Sequence, residues 1–151
     1  MKRIPLLFLA PLLFVASLAL AVDLPVVEGN DAYISPESVA GAVTVDAAKA
    51  HELWKARAWF VDPRKAAQFE SGHIPGALNL EYKPGKPNQP LTAESLEAQV
   101  PKTDPVVFYC NAEKCDRSSW GAALALEWGW KEVYYFRGGI PEWTKAGYPV
   151  Q

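Results

Sequence analysis

The chain has two thiols, Cys110 and Cys115, and both lie in the segment with the richest reactive possibilities. Val106-Val107-Phe108-Tyr109-Cys110 is β-like and apolar on both faces. Asn111-Ala112-Glu113-Lys114-Cys115-Asp116-Arg117 is polar, and a helix-like run begins at Ser118. This order predicts a thiol at the carboxyl end of a central parallel strand, the edge at which open α/β sheets bind ligands. The following helix would direct its unpaired N–H groups and positive dipole end back at the loop. That dipole, with Lys114 and Arg117, favours a thiolate at Cys110, and amides from Asn111 through Ala112, Glu113 and Asp116 to Ser118 would hold an oxyanion.

Other roles are open to the same residues. Cys110 could be a buried, inert strand end, since cysteine is often fully buried. A Cys110–Cys115 disulfide could simply close a small loop in an oxidising compartment. A nucleophilic thiol with a second thiol nearby could also be resolved to a disulfide, or work as a redox pair. Five residues of separation allow the two Cα atoms to come within bridging range without establishing the bond.

The elements that must position this loop can be read along the chain. Residues 4–22 are almost uninterruptedly apolar behind Lys2 and Arg3, and Ala19-Leu20-Ala21 forms a small-x-small site before Val22. This layout predicts a secretory signal peptide over residues 1–21, with the protein exported to the periplasm or secreted. An uncleaved N-terminal membrane anchor is the alternative, which the prolines and the absence of a basic far flank oppose. Neither cysteine lies near the cleavage point, so the usual lipid-anchor site is missing and the mature chain should not insert stably in a membrane.

The full chain has 151 residues, 50% hydrophobic and 21% charged, which excludes disordered, fibrous and polytopic classes. Lys2 and Arg3 leave with the leader, so fewer than the 15 basic side chains face all 17 acidic ones, and a nucleic-acid partner is not expected. About 130 residues are enough for one core without disulfides.

Residues 22–42 read as an irregular lead-in, either packing or a docking arm for a protein partner. From Val43 onward, β-rich and helix-like runs alternate, which predicts a parallel sheet covered by helices. Asp46 is a helix N-cap, with the helix running to Ala56; 58–62 is a strand, 65–70 a helix, 71–76 a turn and 77–81 a strand. Residues 82–90 are a loop, Thr92 caps a helix to Val100, and 105–110 is the central strand. A helix over 118–128 and a strand over 132–137 follow. Gly138-Gly139 is a turn, and Pro141 opens a last helix to Ala146 as its first residue.

Three segments of this chain resemble the rhodanese-like sulfurtransferases. Phe60-Val61-Asp62-Pro63-Arg64 with Phe69-Glu70-Ser71-Gly72-His73-Ile74-Pro75-Gly76-Ala77 is similar to that family's amino-terminal signature, and residues 106–117 to its active-site strand and loop. Arg137-Gly138-Gly139-Ile140-Pro141-Glu142-Trp143, with Gly147-Tyr148-Pro149-Val150, is similar to its carboxyl-terminal signature. Order and spacing agree over residues 43–151. The resemblance implies a single α/β domain with a five-stranded parallel sheet flanked by helices. It also implies that Cys110 takes a sulfane sulfur from a small anionic donor such as thiosulfate and passes it to a thiol or cyanide acceptor. Neither a metal nor an organic cofactor is required.

One position departs from the pattern. The arginine usual five residues after the nucleophile is replaced by Cys115, and Arg117 follows two residues later, so the loop is longer. Arg117 can serve if it swings in; otherwise Lys114 is the local cation. A longer loop also suits phosphate in the related dual-specificity phosphatases, but their histidine before the cysteine is Tyr109 here. A non-catalytic binding module with a locked disulfide is the other alternative. Among the remaining candidates, His73 is expected in a structural turn, Asp62 and Arg64 as an internal ion pair, and His51 on a helix surface. Trp54, Trp59, Trp128, Trp130 and Trp143 are expected in core and rim packing, while Trp120 is placed to cover the thiol.

Overall fold

The computed structural model describes residues 34–151. Residues 1–21, expected to be a signal peptide, and most of the lead-in lie outside the described residues. No described helix is long and apolar enough to cross a membrane.

Five strands, β1 (Val43–Thr44), β2 (Trp59–Asp62), β3 (Leu78–Asn79), β4 (Val106–Tyr109) and β5 (Val133–Phe136), alternate with helices α1 (Ala47–Lys55), α2 (Ala66–Glu70), α3 (Ala93–Glu97), α4 (Arg117–Glu127) and α5 (Gly139–Lys145). All pairings are parallel, in the order β1-β5-β4-β2-β3. This is the expected α/β sheet, with β4 in its centre. The expected strands are trimmed by a residue or two at their ends, except that 77–81 shortens to Leu78–Asn79. The remaining strand, β1, is the exposed pair Val43–Thr44, too short to carry a period of its own.

Side-chain alternation along β4 supplies two cores. Val106 and Phe108 join Val61, Leu96, Ala122, Ala125, Trp130 and Tyr135 on one face. Val107 and Tyr109 join Phe60, Ile74, Phe136, Trp143 and the buried residues of α1 on the other. Every β4 residue is therefore buried, which fixes the strand's register and the place where it ends. Helix α4 lies close over β4 because Gly121 has no side chain: a Cβ there would stand 2.6 Å from the Phe108 ring.

Caps set the helix limits. Asp46 Oδ1 accepts the Lys49 N–H at 2.8 Å at the start of α1. Thr92 and Ser95 form a reciprocal capping box on α3. That helix ends at Glu97, short of the expected Val100, and runs out in a turn in which the Gln99 and Val100 N–H groups both donate to the Leu96 carbonyl, at 3.1 and 2.8 Å. The last helix departs from expectation at its start: α5 begins at Gly139, with Gly138 as its cap, and Pro141 lies within the first turn rather than opening it. A missing N–H is harmless there, since first-turn amides have no intrahelical acceptor. Helix α4 begins one residue earlier than expected, at Arg117.

The aromatic residues place two histidines. His51 is not a free surface residue: its ring stacks on Tyr148 at 3.9 Å and on Trp54 at 5.6 Å. The sequence hides this because Tyr148 arrives from the far end of the chain. His73 occupies a structural turn, its ring stacked on Phe69 and its backbone exchanging two 3.0 Å hydrogen bonds with Gln151. Trp130 and Trp143 are core residues; Trp54, Trp59 and Trp128 are partly buried around the cores.

Candidate active site

Cys110 follows the last residue of β4 and is fully buried. Its carbonyl oxygen accepts the Ile140 N–H at 2.9 Å, tying the strand end to the first turn of α5. Gly139 makes this approach possible. Its φ of +56° lies in the left-handed region, and a Cβ there would collide with the Cys110 carbonyl oxygen and stand 3.1 Å from the Ala112 nitrogen.

Beyond Cys110 the chain turns sharply. Ala112 takes a φ of +63°, costly for a residue with a Cβ, and opens a 3₁₀ turn over Ala112–Lys114. The Cys115 N–H closes that turn on the Ala112 carbonyl at 3.1 Å. The turn brings the thiols together, and Cys110 and Cys115 are bonded as a disulfide with Cα atoms 6.2 Å apart. Cys115 is partly exposed while Cys110 is not. Asp116 follows as N-cap of α4 without a side-chain cap bond, so the helix start faces the loop with its first amides uncapped by a side chain.

The expected site residues divide into two groups. Asn111, Ala112, Glu113, Lys114, Cys115 and Asp116 form one loop above the carboxyl end of β4, with Glu113 and Lys114 exposed. Arg117 turns the other way. Its guanidinium donates to the Pro63 carbonyl at 3.2 Å and to Glu81 Oε1 at 3.3 Å, a carboxylate that Lys83 also bridges at 3.3 Å. Ser118 is buried and close to the Tyr135 hydroxyl. Trp120 is half-buried beside Tyr82, ring centroids 6.3 Å apart, on the rim of the loop. Tyr82 faces Asp116, and burial together with that carboxylate pushes its phenol up from the ordinary tyrosine value.

Asp62 and Arg64 form the expected internal pair. The Asp62 carboxylate is fully buried and accepts Arg64 Nε at 2.9 Å and Nη2 at 2.6 Å. The remaining Arg64 donors reach the Gly72 carbonyl at 2.8 Å and Asn111 Oδ1 at 3.2 Å, the latter on the residue directly after Cys110. Burial alone would lower the Arg64 pKa; its bonds to Asp62 outweigh this and hold it raised. Tyr109 stands 5.8 Å from that guanidinium and accepts the Ile74 N–H at 3.1 Å. Burial, then the nearby Asp62 charge, raises its pKa far above the ordinary tyrosine value, so it is a neutral packing residue.

Three contacts had no reading in the sequence: Arg64 to Asn111, Ile140 to Cys110, and the Arg137 side chain to the Ser35 and Pro36 carbonyls. Each joins residues far apart in the chain, and their only local signal was the Arg137-Gly138-Gly139 sequence. A cavity of about 460 Å³ opens beside the loop, lined among others by Thr44, Asp46, Ala112, Glu113, Arg137 and Glu142. Among the described residues, no group of three or more His, Cys, Asp or Glu is placed to hold a metal ion.

Known proteins share this fold. The BH2092 protein from Bacillus halodurans is 25% identical, with a TM-score of 0.60 covering 73% of this chain and 77% of that one. The polysulfide-sulfur transferase homodimer from Wolinella succinogenes is 20% identical, with a TM-score of 0.56 over 74% of this chain and 80% of that one, a likeness of fold. In sequence, the tRNA uridine(34) hydroxylase of Photorhabdus laumondii is 32% identical over 97 residues, 61% of this chain and 26% of that protein. The chloroplastic rhodanese-like domain-containing protein 14 of Arabidopsis thaliana is 26% identical over 144 residues, 72% of this chain and 64% of that protein. The chain thus spans about a quarter of the first relative's length and under two thirds of the second's. Residues 40–146 match the model of the rhodanese-like domain, and the chain belongs to the rhodanese-like family.

Proposed function

We propose that the protein is an exported sulfurtransferase, residues 1–21 being its leader and residues 43–151 its domain, in which Cys110 carries a sulfane sulfur. The observation that supports this most is the position of Cys110, at the end of the central strand and at the foot of a loop that leads into the amino terminus of α4. Backbone amides from Asn111 to Ser118 and the cation of Lys114 are the anion-stabilising groups. Arg117 joins them on release from Glu81.

With the disulfide reduced, the Cys110 thiolate attacks the outer sulfur of a donor such as thiosulfate. The donor's S–S bond breaks, sulfite leaves with the electron pair, and Cys110 becomes a persulfide anion. A thiolate or cyanide acceptor then attacks the terminal sulfur, and Cys110 departs as thiolate. The chemistry calls on no metal or organic cofactor. Cys115 adds a competing exit: its thiolate attacks Cys110 Sγ, forms the Cys110–Cys115 disulfide and expels hydrosulfide. A low-molecular-weight thiol reductant resets the pair, entering at Cys115, the more exposed sulfur.

Transfer of thiosulfate sulfur to cyanide by the reduced protein, read as thiocyanate, tests this function. Activity abolished in Cys110→Ser and retained in Cys115→Ser is the expected result; activity surviving Cys110→Ser overturns it. The bonded cysteines favour one second reading, thiol–disulfide exchange. It predicts reversible oxidation with little thiocyanate formed, whereas a disulfide that thiols never open would make the protein a binding module.

A further inference from the structure

The described part of the lead-in is fastened to the cysteine loop. Ser35 is 2% exposed, and its N–H donates to the Glu113 carbonyl at 2.6 Å, in the middle of the 3₁₀ turn between the two cysteines. The end of β5 grips the same segment from the other side. Arg137 Nε and Nη2 donate to the Ser35 carbonyl at 3.3 and 3.1 Å, and Nε also reaches the Pro36 carbonyl at 3.2 Å. The fully buried Tyr135 hydroxyl stands 3.1 Å from the Pro36 carbonyl oxygen and 3.2 Å from Ser35 Oγ.

The loop needs such external holds. Ala112 sits in a costly left-handed conformation, the 3₁₀ turn has one internal bond from Cys115, and the side chains of Glu113 and Lys114 point to solvent. Ile140 and Arg64 fix the Cys110 and Asn111 end. Ser35 fixes the middle, two residues before Cys115.

We propose that Ser35-Pro36 is a strap, clasped by Arg137 and Tyr135, that positions the loop so that Cys115 faces Cys110 and thereby sets how readily the pair closes. Ser35 is a positioning residue, acting through Glu113 on the separation of the thiols. The inference deepens the proposed function, because the same closure decides whether sulfur is carried on Cys110 or lost as hydrosulfide.

Equilibration of the full chain with glutathione tests it. The disulfide and two glutathione thiols exchange for the Cys110 and Cys115 thiols and one glutathione disulfide, and alkylation with mass readout counts each form. Ser35→Pro removes the amide donor; Ser35→Ala keeps it. The expected result is an equilibrium constant for closure about tenfold lower in Ser35→Pro, a potential about 30 mV less reducing, and within about twofold of the parent in Ser35→Ala. Arg137→Gln, which frees the strap from β5, should move closure in the same direction without lowering the melting temperature of the reduced protein by a matching amount. Equal closure in parent, Ser35→Pro and Arg137→Gln overturns the strap. Sulfur loading of Cys110 by thiosulfate is measured separately: loading with unchanged closure defeats the strap alone, and changed closure without loading defeats the sulfurtransferase alone.

Discussion

Replacing Gly139 by alanine perturbs the joint that holds the Cys110 end of the loop. The residue sits at φ +56°, and a Cβ would run into the Cys110 carbonyl oxygen, the acceptor of the Ile140 N–H. Left-handed backbone costs a non-glycine residue about 1–2 kcal/mol. Displacing the carbonyl sacrifices a hydrogen bond of about 1 kcal/mol net, and neither backbone can move away cheaply because β4 is buried along its length. The sum is about 2–3 kcal/mol. For a domain of this size, that lowers the melting temperature by about 8–12 °C. Thermal unfolding followed by circular dichroism on the oxidised protein measures the drop, and thiosulfate loading of the reduced variant measures damage to the site. Gly147→Ala is the matched control: its φ is +78°, yet a Cβ there meets nothing within 4 Å, so it carries the backbone cost alone. The reasoning is refuted if Gly139→Ala melts within about 2 °C of the parent, or if the two alanine variants fall equally, because then the contact with Cys110 contributes nothing.

Other perturbations read other parts of the account. Arg64→Met leaves the fully buried Asp62 carboxylate without its partner and should cost about 3–5 kcal/mol in urea unfolding at neutral pH; a loss below about 1 kcal/mol would mean the pair is not the brace of β2. Glu81→Gln should free Arg117 and Lys83 and lower the KM for thiosulfate by about two- to fivefold, with stability changed by less than about 1 kcal/mol; an unchanged or higher KM would remove Arg117 from the anion site. Tyr109 has its pKa raised by burial, so the unfolded chain gives up its phenol proton first, near the ordinary value of about 10. Unfolding free energy should hold below that pH and fall as pH rises above it, less steeply in Tyr109→Phe. Equal alkaline slopes in the two proteins would show that Tyr109 does not report this burial.

Much of the architecture is legible because each cue is local. The apolar run 106–110 announces a central strand, Asp46 and Thr92 announce helix starts, and the order strand, thiol, polar loop, helix announces the site. What escapes depends on residues distant in the chain. Val43–Thr44 becomes a strand only because β5 offers it an edge, and His51 is covered only because Tyr148 folds back onto it. The start of α5 shifts to Gly139 because the Cys110 carbonyl claims the Ile140 amide. Arg117 carries a charge of the right sign at a plausible spacing, but Glu81, contributed by the segment after β3, draws it aside. The thiol spacing permitted a bond without deciding it; the left-handed turn at Ala112 and the hold on Glu113 bring the two sulfurs together.

The most direct test of a sulfur-carrying Cys110 is the intact mass of the reduced protein after exposure to thiosulfate, beside Cys110→Ser and Cys115→Ser. The account predicts the gain of one sulfur atom in the parent and in Cys115→Ser, none in Cys110→Ser, and loss of that sulfur on adding cyanide. In the parent, closure should slowly replace the persulfide by the disulfide, while Cys115→Ser keeps its sulfur. No sulfur gained in Cys115→Ser, where closure cannot remove it, would contradict the carrier, and loss of two hydrogens in the parent alone would then leave the loop as a thiol–disulfide pair.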